Sequence, residues 1–130
     1  MTVPTPPAKS TKPLHLHLFA TLGYSLAGAR FLLTQRAARL QVAMAVVTGA
    51  AFAAAGVGAI QWAVMLALFV ASLGVEALNS AIELTVDRVS PEISDYGKHA
   101  KDLGSFAVLC ALVIFGGHAI WAVADAVLGG

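Results

Sequence analysis

Three stretches of this chain, Val42 to Ile60, Ala63 to Val75 and Leu103 to Ala124, contain no Asp, Glu, Lys or Arg. A helix needs roughly 20 apolar residues to cross about 30 Å of hydrocarbon. Hydrocarbon also offers no partner for a free backbone N–H or C=O, so a crossing segment of this kind must be helical. The pattern therefore predicts an all-α integral membrane protein with transmembrane helices over about 42–60, 62–86 and 103–125. Composition agrees: 58% of the 130 residues are hydrophobic and 12% charged, too apolar for a water-soluble domain of this length. The second run differs from the others because it continues through Glu76 to Val86, so its last turns carry polar groups, and Ser90 with Pro91 ends it.

Charge fixes an expected direction. Lys9, Lys12, Arg30, Arg36 and Arg39 precede Val42 with no acid among them, and further basic residues lie between the second and third runs. Basic residues mark the cytoplasmic side. The N-terminus is expected inside and, after three crossings, the C-terminus outside. These basic residues are explained by topology and anionic lipid, so no nucleic-acid partner is expected. Residues 1–13, rich in Pro, Thr and Lys, read as a disordered cytoplasmic tail without a cleavable signal peptide. Residues 14–130 read as one domain without internal repeats, opening with an amphipathic helix over about 14–40 that lies in the interface: Leu14, Leu18, Leu22, Leu26 and Leu33 recur at intervals of four and seven. The alanines and glycines between Gly49 and Gly58 allow helices to approach closely. Cys110, the single cysteine, is expected to be a buried thiol. His118 is expected to make an interhelical hydrogen bond, and Trp62 and Trp121 to sit toward the outer ends of their spans.

The chemistry concentrates in Glu76-Ala-Leu-Asn-Ser-Ala-Ile-Glu83 and Asp87. At about 100° per residue, Glu76, Asn79, Glu83 and Asp87 share one helix face. An acid at the centre of a membrane helix costs on the order of 3 kcal/mol, less near the interface. Lys98-His-Ala-Lys-Asp-Leu-Gly-Ser105 opens the third helix, where Lys101 and Asp102 can face Glu83 and Asp87. Carboxylates hold Mg²⁺ through oxygen, and a lysine offsets charge on a transferring phosphoryl group. Glu76, the deepest acid, is where a general base would meet a lipid hydroxyl. An interfacial ion-pair cluster is the competing reading of Glu83, Asp87, Lys98, Lys101 and Asp102.

These two blocks, Glu76 to Glu83 with Asp87 and Ala100-Lys-Asp-Leu-Gly-Ser105, resemble the bacterial diacylglycerol kinase family of small three-span membrane kinases, which includes the undecaprenol kinases. The similarity runs from Gly23-Tyr-Ser25 to the end of the third span. It implies a homotrimer in the bacterial inner membrane with active sites shared between subunits, transferring the γ-phosphate of ATP to a lipid hydroxyl with Mg²⁺. By the same resemblance Glu76 is the base, and Glu83 binds metal and nucleotide. Asn79 and Asp87 support the site, Lys101 and Asp102 contact ATP, and Tyr24 and Glu92 lie beside the nucleotide. Ser105 and Arg30 face the lipid. One departure stands out: Gln35 occupies the position of a metal-binding glutamate on the interfacial helix, and an amide oxygen is a weaker ligand. Diacylglycerol is the expected acceptor, with undecaprenol as the alternative. A proton or cation conductor built on Glu76 and Glu83, or a degenerate kinase retained as an assembly partner, are the readings from other classes.

Overall fold

The computed structural model describes residues 14–92 and 94–129, with side chains from residue 19 onward. The tail expected over 1–13 lies outside the described residues. Four helices and no strand occur among them: α1 (Leu14–Leu32), α2 (Arg36–Ala55), α3 (Ala59–Val89) and α4 (Asp95–Leu128). The last three are each long and apolar enough to cross a membrane. The chain divides into two compact units, residues 1–31 and 32–130.

The helix expected to run to about residue 40 is broken, and residues 36–41 belong to α2 instead. Gln35 adopts an extended conformation (φ −74°, ψ 137°), and its N–H closes a turn on the Leu32 carbonyl at 2.9 Å. The polar residues Arg36, Arg39 and Gln41 thus open a helix that is long and apolar enough to cross a membrane. The same holds at α4, which starts eight residues before the uncharged run. There the Ser94 side chain accepts the Gly97 N–H at 3.1 Å, and Asp95 sits in the first turn, where a negative charge suits the helix dipole. Between α2 and α3 the chain turns at Gly56, whose φ of 70° favours glycine.

α2, α3 and α4 touch one another pairwise and alternate in direction, so the start of α2, the end of α3 and the start of α4 share one end. Away from that end Phe52, Val57, Met65, Phe115 and Ala122 form the apolar core. Phe52 meets Trp62 edge-on at 5.4 Å between ring centres, and the Trp62 ring lies at ordinary contact distance from Gly49. His118 Nε2 lies 3.1 Å from the Gln61 carbonyl, the expected interhelical hydrogen bond, and its ring sits between Phe52 and Trp121. Cys110 departs from expectation, being exposed on α4. The α4 sequence is apolar on every side, so hydropathy does not say which face packs inward.

With 31 and 34 residues, α3 and α4 measure about 46 and 51 Å at the usual helical rise. The 20 residues of α2 measure about 30 Å. The longer pair therefore exceeds the hydrocarbon thickness, and the surplus falls where the sequence turns polar.

Candidate active site

The inward face of α3 changes character along its length. Its buried residues are Met65, Ser72, Glu76, Asn79 and Ser80, spaced by three, four and seven as one helical stripe requires. Met65 belongs to the apolar core, and the stripe is polar from Ser72 on. Glu76 is only 4% exposed. A buried carboxyl group needs a hydrogen-bonding partner to offset lost hydration, and α2 supplies one: Gln41 Nε2 donates to Glu76 Oε2 at 3.1 Å.

One turn further, Asn79 Nδ2 donates to Glu83 Oε1 at 3.0 Å. The other Asn79 atom, Oδ1, is buried without a hydrogen-bond partner, as is Gln41 Oε1. Each unpaired acceptor costs on the order of 1–3 kcal/mol. Asn79 fits because residue 104 is glycine: a β-carbon there would overlap Oδ1 and lie 3.3 Å from Cγ. Gly104 is therefore what lets α3 and α4 meet with a polar side chain between them.

Gln35, Arg36, Glu76, Asn79, Glu83 and Ser105 line a common cavity of about 350 Å³. The break before α2 brings Gln35 to the lining of the space that the two glutamates also line, and α4 adds Ser105. A second cavity, of about 270 Å³, lies among Asp87, Ser90, Glu92, Lys98 and Lys101. Lys101 pairs with Asp87 across the two helices. Asp102 pairs with Lys98 on its own helix at 3.0 Å. The Ser90 hydroxyl donates to Glu92 at 2.8 Å, which holds the Glu92 carboxyl below the ordinary carboxylate range. Tyr24 and Arg30 belong to the unit formed by residues 1–31.

Sequence reasoning missed Gln41, Arg36 and Gly104 as contributors. Gln41 and Arg36 were hidden by the misplaced start of α2. With the helix begun at Arg36, Gln41 stands more than a turn inside it, and a neutral polar residue there signals a partner. Among the described residues there is no cluster of three or more His, Cys, Asp or Glu side chains that could hold a metal ion.

Residues 23–123 match the family described as prokaryotic diacylglycerol kinase. The chain belongs to that family. A diacylglycerol kinase of a Sinorhizobium species is 47% identical over 107 residues, covering 82% of this chain and 78% of that protein. The diacylglycerol kinase of Escherichia coli K12 is 38% identical over 93 residues, covering 71% and 76%. That of Pseudomonas aeruginosa is 54% identical over 52 residues, covering 40% and 42%. The family match spans the cavity residues from Gln35 to Ser105 and the ion-paired residues beside them.

Proposed function

We propose that this chain catalyses phosphorylation of diacylglycerol to phosphatidic acid, with ATP as donor and Mg²⁺ as cofactor, at the cytoplasmic face of the bacterial inner membrane. The observation that carries the reading is the buried Glu76 carboxyl group opening into the same cavity as Glu83, Gln35 and Ser105. The diacylglycerol kinase names of its relatives support the acceptor.

In this reading Glu76 takes the proton of the lipid hydroxyl as its oxygen attacks the γ-phosphorus. The bond between that phosphorus and the bridging oxygen breaks, and ADP leaves. Mg²⁺ neutralises charge on the phosphate oxygens when bound. One or two carboxylates with substrate phosphates and water are an ordinary donor set for Mg²⁺, which Glu83 and the Gln35 carboxamide oxygen fit. Asn79 holds the Glu83 carboxylate by its amide. Lys101, neutralised by Asp87 at rest, and Asp102 contact ATP, with Glu92 and Tyr24 beside the nucleotide. Arg36, which lines the cavity, adds positive charge for phosphate. Ser105 and Arg30 meet the lipid. The working form is a homotrimer with its N-terminus in the cytoplasm and its C-terminus outside.

The test is to incubate the purified protein with membrane lipid extract, Mg²⁺ and γ-labelled ATP and identify the labelled product. Labelled phosphatidic acid is expected. Labelled undecaprenyl phosphate in its place would reassign the acceptor. No labelled lipid from folded protein would contradict the kinase reading, and nucleotide-independent ion flux in liposomes would then favour a conductor.

A further inference from the structure

Gln41 is 3% exposed, with its amide nitrogen 3.1 Å from Glu76 Oε2. Its carbonyl oxygen is buried with no partner. An ionised carboxylate accepts hydrogen bonds only, so the nitrogen is the end that must face it. A side chain that leaves one end unsatisfied in order to present the other is poorly explained by packing. An apolar side chain of similar size would leave no orphan at residue 41, but it would also leave Glu76 Oε2 without this donor.

From this geometry we infer that Gln41 is a positioning residue for the phosphoryl transfer: its amide holds Glu76 Oε2 so that Oε1 is the oxygen presented to the lipid hydroxyl. The inference rests on the reading of Glu76 as the base. A carboxyl group turns about its terminal bond with little hindrance, because that torsion has broad wells. One fixed donor on a neighbouring helix removes this freedom at one oxygen. The base is then aimed before the substrate arrives, and its aim depends on the contact between α2 and α3.

The inference separates binding from chemistry. Gln41 is not among the residues lining the cavity, so its loss should leave substrate affinity alone and slow the step in which Glu76 takes the proton. In assembled protein reconstituted with diacylglycerol, Gln41→Met should lower kcat by roughly ten- to hundredfold, the size expected for a misaimed catalytic group. KM for MgATP and for diacylglycerol should stay within about twofold. Gln41→Asn, which keeps an amide but withdraws it by one methylene, should behave the same way and covers the case in which the methionine variant fails to fold. The contact is read separately by infrared difference spectroscopy. The carboxyl band identified by subtracting Glu76→Gln from the wild type should shift when Gln41 is replaced. Wild-type kcat in both Gln41 variants overturns the inference, as does an unshifted band. A fall in kcat accompanied by raised KM and a lowered melting temperature also overturns it, since that is a packing role. Undiminished activity in Glu76→Gln overturns it through the base reading itself, and a band shift would then show that the hydrogen bond survives without that function.

Discussion

Neutral polar atoms decide the shape of this site as much as its acids do. Asn79 Oδ1 occupies the space a side chain at residue 104 would need. Gly104→Ala should therefore displace Asn79 and break its bond to Glu83, with an overpacking cost of about 1–3 kcal/mol. Gly117→Ala is the control, since a β-carbon there would meet nothing within 4 Å. Thermal unfolding and phosphate-transfer assays should find the first variant impaired in both and the second close to wild type. Equal behaviour would remove the role assigned to Gly104. Gln35→Glu should lower the Mg²⁺ concentration needed for half-maximal activity, because a charged oxygen replaces a neutral one in the donor set. An unchanged Mg²⁺ dependence would take Gln35 out of the metal site. The acids were legible in the sequence because ionisable groups in a membrane helix are costly and so conspicuous. Gln41 and Gly104 were not: an amide at the edge of an apolar run and a glycine inside one look unremarkable until the facing helix is known.

The ends of the elements were harder to read than their existence. Hydropathy marks the uncharged runs, whereas α2 and α4 begin before them, at Arg36 and Asp95. That surplus of helix is what carries the polar cluster, and its two ion pairs are at least 40% exposed at every partner. Exposed pairs contribute about 0–1 kcal/mol. Lys101→Met should therefore barely change the melting temperature while raising KM for ATP, and a large loss of stability without a KM effect would make the pair structural instead. At the far end of the bundle the expectation reverses. His118→Phe removes the interhelical bond to the Gln61 carbonyl and should lower stability by about 1 kcal/mol while leaving the KM values unchanged. A change in substrate KM would mean that the two halves of the bundle are coupled.

At the level of the whole chain, the all-helical architecture and the three candidate spans followed from the absence of charge in three runs, and they agree with the helices observed. The pairwise arrangement did not follow, because runs that are apolar on all sides, as in α4, do not reveal which face meets protein. Cys110 was misread for that reason. What the arrangement adds is a division of labour. An aromatic and aliphatic core around Phe52 and Phe115 secures one end, and the other end holds a carboxyl group buried against α2 beside a cavity open to Gln35 and Glu83. The most direct test of that division is transfer of the γ-phosphate of ATP to diacylglycerol in mixed micelles with Mg²⁺, comparing wild type with Glu76→Gln at matched folding and assembly. Transfer by the wild type that falls by at least about a hundredfold in the variant, the scale of a lost general base, is the predicted result. Equal transfer by both proteins would contradict the assignment of Glu76, and no transfer by either would contradict the kinase reading as a whole.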